Sequence, residues 1–471
     1  MVPRETVSGA PAPRGQRRAL LAVVSLSAFL TPFLSSSLNL AIPAIGRDLG
    51  APAAALHGVV VAYLIASAAM LLPFGRLADL VGRRRIFLLG AASQAVFLLA
   101  AAAATSVSAL VWLRALQGAT GAMSFATGMA MVVAAFPSSE RGRVLGIGVG
   151  AVYLGLASGP VAGGMLVELA GWRSIFLAGG LLGLGLAALT QVAVPAERRP
   201  SADRFDLAGA ALYALGLGAL VGGLAAAARS RSALWAIAAG AAGFALFAWR
   251  DLRSARPLVP LRLFRDPVFA FSNLAALLNY SATFAVSYLL SLYLQVARGM
   301  APRHAGLVLL AQPLTMALLS PLAGRLSDRF EPRLPASLGM ALTAAALFLF
   351  ALLGPATPLP LVVGALLLIG TGFALFSSPN TNAAMSAVER RDYGTASAVL
   401  GTMRLLGQSL SMAALAALTV RAMGDAPLAA GSAAALLAVQ RQAFLLFAPL
   451  CALGVLASMA RGRVHRGEPA S

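Results

Sequence analysis

Charge of either sign is scarce in this 471-residue chain, and one basic residue type is missing altogether. Only 11% of the residues are charged, whereas 59% are hydrophobic, and the mean hydropathy is +0.84. Soluble domains carry about a quarter charged residues, so this composition excludes an ordinary soluble protein and indicates an integral membrane protein. Lysine is absent, and all 36 basic residues are arginine. GC-rich coding is the simplest explanation, so a single arginine is weak evidence of bidentate chemistry here.

Residues that carry chemistry are also sparse. The one cysteine, Cys451, lies in the last apolar run, which excludes an intrachain disulfide. We find no clustered metal ligands, no nucleophile–base set and no phosphate-binding Gly-x-x-x-x-Gly-Lys. The net charge of +20 does not indicate nucleic-acid binding, because the arginines form short clusters between apolar runs. We therefore expect no enzyme activity, no metal, no cofactor and no nucleic-acid partner.

Apolar runs long enough to cross a bilayer, about 20 residues each, recur along the chain. The first is too long for a signal-peptide core, so we expect an uncleaved helix. The runs at 206–228 and 232–250 are the weakest, and twelve or thirteen spans would require two runs to be misread. The predicted spans are approximately 19–42, 54–74, 84–104, 108–135, 143–168, 173–194, 206–228, 232–250, 268–295, 304–323, 334–354, 359–385, 393–421 and 438–460.

The arginines are distributed unevenly between alternate loops. If the N-terminus is cytoplasmic, 26 of the 36 arginines fall in inner segments and seven in outer loops. Positively charged residues favour the cytoplasmic side. This asymmetry predicts that both termini are cytoplasmic and that the number of spans is even.

Two loops repeat one pattern at an offset of eight spans. Residues 75–85 follow the second span and residues 324–333 follow the tenth, and both read Gly-Arg-Leu-small-Asp before a final arginine. Gly82 has no counterpart in the second copy. The offset fits two six-helix halves separated by two extra helices, as in secondary transporters built from repeats. The predicted division is 1–200, 201–258 and 259–471.

Residues 155–164 form a stretch rich in glycine within the fifth span. Gly155, Gly159 and Gly163 share one helix face, so another backbone can approach closely. Pro160 removes a helix hydrogen bond and is expected to bend the helix, and Gly164 ends the stretch. A smooth, bent helix is suited to sliding or rocking against a neighbour, which indicates a transporter.

With these motifs the chain resembles the major facilitator superfamily, and within it the fourteen-helix drug:proton antiporter branch. The matching segments are the loop at 75–85, residues 113–118 in the fourth span, the stretch at 155–164 and residues 404–409 in the thirteenth span. The resemblance extends from about residue 20 to residue 460. It implies an all-α polytopic membrane protein with the major facilitator fold, made of two six-helix halves and two linker helices.

The resemblance also implies that the loop after the second span latches the halves together when the inner side is closed. The alternative is a basic loop that only sets the topology. Asp79 adds nothing to a positive-inside signal, which favours the latch. The predicted latch residues are Gly75, Asp79, Gly82, Arg83, Arg84, Arg85 and Asp328.

Two arginines lie within predicted spans, where a charge is costly and should face the interior or a cavity. Arg404 is near the middle of its span, whereas Arg114 is close enough to an end to snorkel outward. The predicted transport-path residues are Arg114, Gln117, Asn39, Tyr280, Arg404 and Gln408. Weaker candidates for a cavity wall are Phe29, Phe33, Asn279, Phe284, Tyr288, Asn380 and Asn382.

None of the sixteen acidic residues lies in the middle of a span. The family often has an aspartate five residues before an Asn-x-Ala-x-Pro element of helix 1, and the matching position here is Leu34. The missing carboxylate favours neutral, zwitterionic or anionic substrates over cationic drugs. Any proton carrier must then be peripheral, although a lone histidine at a helix end is more often an interfacial residue. The peripheral candidates are Asp48, Glu168, Asp206 and His57.

We therefore expect a secondary exporter of drugs or amphipathic natural products that works by alternating access and, as the resemblance implies, exchanges its substrate for protons. The alternative is an exporter or facilitator of one endogenous metabolite without proton antiport. The expected setting is a bacterial inner membrane, with the protein as a multi-pass monomer in contact with the lipid bilayer and a small amphipathic substrate.

Overall fold

The computed structural model describes residues 14–136, 138–194, 205–227, 230–254, 257–259, 261–389, 392–424 and 432–462. Its regular structure is helical, as the apolar composition requires. Within a bilayer there is no water to satisfy backbone N–H and C=O groups, and a helix satisfies them within its own segment. Large apolar side chains such as Trp112, Leu169 and Trp235 are exposed on the outside of the bundle, where they can contact lipid.

The first part of the chain forms six helices followed by a pair. The first six are α1 (Arg14–Asp48), α2 (Ala53–Val81), α3 (Arg83–Ala102), α4 (Val107–Ala135), α5 (Ser138–Ala170) and α6 (Arg173–Ala193). The pair is α7 (Leu207–Ala226) and α8 (Ser232–Arg253).

The described residues of the second part form eight α-helices, of which four combine into two interrupted spans. One span comprises α9 (Pro267–Thr283), α10 (Ala285–Leu292) and a π-helical turn (Tyr293–Ala297), and the next comprises α11 (Pro302–Leu309) and α12 (Ala311–Arg329). The remaining helices are α13 (Arg333–Ala351), α14 (Leu359–Ser386), α15 (Tyr393–Met423) and α16 (Ala433–Ala460).

The described residues contain 13 candidate membrane spans by length and composition. The helix α4 has 29 residues and packs between α2 and α3, so we count it as the remaining span. The all-α multi-pass architecture expected from the sequence is thus confirmed. The two weakest predicted spans are present as α7 and α8.

Contacts divide the spans into two groups. Within the first group, α1 packs on α5, and α4 packs on both α2 and α3. Within the second group, which runs from α9 to α16, α14 packs on α12 and α13, and α9 packs on α15 and α16. The groups meet where α2 contacts α15 and where α5 contacts α11 and α12. The helix α7 lies against both α2 and α15, so it follows the seam between the groups.

Polar caps and glycines set several helix ends. Ser106 accepts a hydrogen bond from the Ala109 N–H at the start of α4, and Asp266 accepts from the Val268 and Phe269 N–H groups at the start of α9. These side chains satisfy backbone donors that the first helical turn leaves unpaired. Gly82 has a φ of +111°, a conformation that a side chain disfavours, and it separates α2 from α3.

Candidate functional site

Glycines of α5 allow its backbone to touch two other helices. A Cβ atom on Gly163 would lie 2.5 Å from the Cβ of Ser37 in α1, and Gly155 and Gly159 face the same helix. A Cβ on Gly164 would instead lie 2.6 Å from the Pro302 carbonyl oxygen at the start of α11. The predicted glycine face of Gly155, Gly159 and Gly163 is therefore packed on α1, whereas the adjacent Gly164 contacts the second group.

Several contacts join the two groups on the side opposite the start of α1 and the end of α16, which we call the outer side on the basis of the arginine distribution. The Ser291 hydroxyl donates to the Asn39 carbonyl at 2.7 Å, and Gln295 donates to the Leu40 carbonyl at 3.2 Å. The ion pair between Glu168 of α5 and Arg303 of α11 spans 3.4 Å. Together with the Gly164–Pro302 contact, these interactions form what we call the outer seal.

His57, near the outer end of α2, forms a further contact between the groups and is almost completely buried, at 2% exposure. Its Nε2 lies 2.9 Å from the Thr419 hydroxyl of α15, and its ring centroid is 5.1 Å from that of Tyr288 in α10. A cavity of about 10 Å³, the size of one water molecule, lies beside these three side chains. The burial corrects the expectation of an ordinary interfacial histidine, since His57 packs between the groups.

Below the outer seal, polar and aromatic side chains from both groups converge on Arg404. Its Nη2 donates to the Thr381 hydroxyl of α14 at 2.6 Å, and its Cζ lies 5.8 Å from the centroid of the Tyr280 ring of α9. The edge of Phe373 contacts Tyr280, with the ring centroids 5.4 Å apart. Tyr153 of α5 supplies the contribution of the first group, because its hydroxyl contacts Ser320 of α12.

Hydroxyl groups extend this cluster toward α12. The Ser320 hydroxyl donates to the Tyr153 hydroxyl at 3.2 Å and lies 3.0 Å from the Ser378 hydroxyl of α14. We call Tyr153, Tyr280, Thr381 and Arg404, with these two serines and Phe373, the central cluster. Gly407 lets α15 approach α9 closely enough to form it, because a Cβ there would lie 2.9 Å from the Tyr280 Cβ. Gln408, one turn after Arg404, is half-buried.

Arg114 has a different environment from Arg404. It is 5% exposed, donates to the Val59 carbonyl at 3.1 Å and to the Gln117 side chain at 2.8 Å, and lies 4.3 Å over the Tyr63 ring. All these partners belong to α2 and α4. The structure thus places Arg114 and Gln117 inside the first group, and their role in the transport path stays a prediction.

Leu34, at the position of the missing aspartate, also points into the first group. It is 7% exposed, and its Cδ2 would lie 2.5 Å from a Cβ on Gly179 of α6.

Two of the weaker cavity-wall candidates pack inside the second group. Asn279 faces Cys451, and Asn380 accepts a hydrogen bond from Arg461 at 3.0 Å.

The loop after α2 forms contacts within the first group. Asp79 accepts from Nη2 of Arg83 at 2.9 Å, and Arg84 donates to the Gln191 carbonyl of α6 at 2.9 Å. Arg85 is exposed. The Asp328 side chain lies outside the described part of the structure, and a latch between the halves stays a prediction. Gly75 packs by ordinary contact on α4.

The positions of two buried polar residues were not anticipated from the sequence. Arg461, counted there as an inner basic residue, is fully buried and ties α16 to the inner ends of α9 and α14 through Ser272 and Asn380. Burial lowers its pKa to about 10. Tyr213 of α7 is 2% exposed and donates to the Ala68 carbonyl of α2 at 3.2 Å. The sequence could not predict this hydrogen bond, because a tyrosine within an apolar run can equally face lipid or another helix.

Comparisons with known proteins agree with this architecture. A sequence model described as the Major Facilitator Superfamily matches residues 24–412 and 273–470. The chain is 34% identical to the uncharacterized transporter YebQ of Escherichia coli K12, over 90% of this chain and 93% of YebQ. It is 33% identical to the multidrug resistance protein Stp of Mycobacterium tuberculosis, over 80% of this chain and 71% of Stp.

A third relative carries a different name. The riboflavin transporter RibZ of Clostridioides difficile is 28% identical, over 94% of this chain and 96% of RibZ. Among solved structures, a bacterial homologue of the human lysosomal transporter Spinster, in an inward-facing and unoccupied conformation, superposes with a TM-score of 0.70. The superposition covers 95% of this chain and 98% of the solved structure's chain. The two sequences are 16% identical, so this similarity shows the fold alone.

Proposed function

The chain belongs to the Major Facilitator Superfamily of membrane transporters, and from this premise we propose that it is a secondary exporter of drugs or amphipathic natural products. One observation carries the proposal. The central cluster draws side chains from both groups and lies under the outer seal, so a substrate held there is separated from the outside by contacts that can break. Opening those contacts while the inner ends close constitutes alternating access.

The physical character of the central cluster fits an amphipathic substrate. Tyr153, Tyr280 and Phe373 offer aromatic surface, and the neighbouring hydroxyl groups offer hydrogen bonds. Such a mixture of apolar walls and a few polar groups is typical of small-molecule sites. The name of Stp supports drugs as substrates of a relative. We place the protein in a bacterial inner membrane as a monomer, with both termini cytoplasmic and with the halves at 1–200 and 259–471.

Proton exchange needs a group that can change its charge during the cycle. Asp48 is paired with Arg173, and Glu168 with Arg303. The hydrogen bond from Arg250 lowers the pKa of Asp206, so this carboxylate stays ionised near neutral pH. His57 is the remaining peripheral candidate, with Nε2 2.9 Å from the Thr419 hydroxyl, and histidine is the residue type best suited to change its charge near neutral pH.

We therefore assign proton coupling to His57. The other groups lining its cavity are apolar apart from Thr419 and the titratable Tyr288. Burying a charged imidazole in this small, largely apolar space is costly, so protonation would weaken the outer seal and favour an outward-open state. Replacing His57 by glutamine keeps a neutral hydrogen-bonding group, so the variant should still move substrate but lose its response to a pH gradient. An unchanged response would remove His57 from the mechanism.

The alternative function is export or facilitated movement of one endogenous metabolite without proton antiport. The specific observation in its favour is the similarity to RibZ, a riboflavin transporter, over nearly the whole chain. The two functions differ in breadth of substrate and in energy coupling. Both use the same central cluster, so the distinction has to come from transport measurements.

Transport measurements on purified protein reconstituted into lipid vesicles test both candidate functions. We expect several chemically unrelated amphipathic compounds to be transported, and an imposed pH gradient to accelerate transport, relative to protein-free vesicles. Transport of one compound out of a broad panel would favour the alternative. A substrate transport rate that does not change with the pH gradient would rule out proton antiport. It would remain compatible with an exporter.

A further inference from the structure

Arg404 lies in the interior of the transporter and forms no ion pair with the residues whose side chains the structure describes. The sequences of α9, α14 and α15, which surround it, contain no Asp or Glu. In α5, Glu140 and Glu168 are 13 and 15 residues from Tyr153, roughly 20 Å away at 1.5 Å per residue. A buried or half-buried charge without a partner is costly. Binding of a ligand that brings the opposite charge would therefore be favourable at this site.

The guanidinium also has unused donors. Its described hydrogen bond goes from Nη2 to Thr381, and its Nε is buried with no hydrogen-bond partner. Buried donors are normally satisfied, so an orphaned one at the centre of a transporter points to a ligand. Arg114 differs in this respect, because its Nε donates to the Val59 carbonyl and its Nη1 to Gln117. The Nε of Arg461 also lacks a hydrogen-bond partner, but both of its Nη atoms donate to protein groups.

The surroundings specify what such a ligand would look like. Arg404, Tyr280, Thr381 and Phe373 are all half-buried and thus partly open to the interior path. The Tyr280 ring lies beside the guanidinium at 5.8 Å, and Phe373 meets it edge-on. A planar aromatic group can pack on these rings while an acidic group bonded to it accepts from Arg404, since guanidinium geometry matches carboxylate oxygens.

We propose that the central cluster is a binding site for aromatic organic anions, with Arg404 holding a carboxylate or phenolate and Tyr280 packing on the ring. This inference rests on the proposed function and narrows its substrate class. A cationic compound would meet a like charge at Arg404 and find no carboxylate nearby. A neutral compound could use the rings but would leave the guanidinium without a counter-charge.

The test compares aromatic carboxylates with their primary amides, for example 2-naphthoate with 2-naphthamide, by equilibrium binding to the purified protein. The two members of each pair have nearly the same shape and differ in charge. A charge-assisted hydrogen bond favours the anion by about ten- to a hundredfold in affinity. Arg404→Gln should abolish this preference, whereas Arg404→Lys should retain part of it, because the charge remains but the forked geometry is lost.

Arg441→Gln is the matched control, because it removes the same charge from an exposed position on α16. Equal affinity for acid and amide in the wild type, no binding of any carboxylate, or a preference that survives Arg404→Gln would each overturn the proposal. If Arg404→Gln does not fold, Tyr280→Leu serves instead, and it should weaken the aromatic acids while sparing acetate. Vesicles that export neutral amphipathic compounds without any charge preference would refute the anion site and leave the proposed function intact.

Discussion

Replacing Gly164 by alanine should weaken the outer seal. The new Cβ would lie 2.6 Å from the Pro302 carbonyl oxygen and 3.0 Å from the Arg303 Cα, whereas ordinary contacts begin near 3.4 Å. The obstructing atoms are backbone, so they cannot rotate away. Relief therefore requires α5 and α11 to separate by up to about 0.8 Å, the difference between 2.6 and 3.4 Å. That separation displaces one helix group relative to the other.

The size of the effect follows from the cost of overpacking, which is about 1–3 kcal/mol. If the outward-open state relieves the clash, the outward-open to outward-closed ratio should rise by about 5- to 150-fold. Gly150→Ala is the matched control in the same helix, because a Cβ at Gly150 has no neighbour within 4 Å. That substitution should leave the ratio unchanged or slightly strengthen the helix.

The assay measures how fast a membrane-impermeant maleimide labels a cysteine placed at Ser291. This position is fully buried in the outer seal, where its hydroxyl contacts Asn39. Labelling from the outer side should accelerate in Gly164→Ala but not in Gly150→Ala. The native Cys451 is also buried and reports unfolding if it becomes reactive. Equal labelling rates in both variants, with Cys451 still protected, would refute the role assigned to Gly164.

Two further substitutions test the inner side. Asp79→Asn removes the carboxylate that accepts from Arg83 and should reduce vesicle transport at normal expression, and unaltered transport would contradict the proposed latch. Arg461→Gln should lower stability by about 2–5 kcal/mol, because it removes the charged hydrogen bonds to the Asn380 side-chain oxygen and the Pro332 carbonyl. A melting measurement in detergent checks this. Arg441 is exposed, so Arg441→Gln is the control and should melt at the same temperature as the wild type. If Arg461→Gln is equally stable, the buried arginine does not contribute to stability.

Helix number was largely accessible from the sequence, whereas the partner of each helix was not. Long apolar runs can cross a bilayer only as helices, so run length predicted even the weak α7 and α8. The spacing of Gly155, Gly159 and Gly163 predicted a close helix contact. It did not identify the partner, because a smooth face accepts any neighbour, and it did not show that Gly164 contacts the second group while the other three contact α1.

The candidate site was only partly accessible. Arg114 and Arg404 look alike in the sequence, as arginines within spans followed by a glutamine. Packing separates them, because Arg114 meets a carbonyl and a ring of α2, whereas Arg404 meets Tyr280 and Thr381 and keeps a donor free. The burial of His57 and Arg461 could not be foreseen either, since it depends on helices that are 362 and 81 residues away at Thr419 and Asn380.

By itself the sequence determined that the chain crosses a membrane many times, which family it resembles and that no acidic residue lies in mid-span. These properties follow from composition, run length and local motifs, which depend on neighbours along the chain. Only the tertiary structure decided which charged side chains are satisfied by other helices and which one faces the interior unpaired. Partnership between distant helices depends on three-dimensional packing, so the contrast between Arg114 and Arg404 appears only when the bundle is assembled.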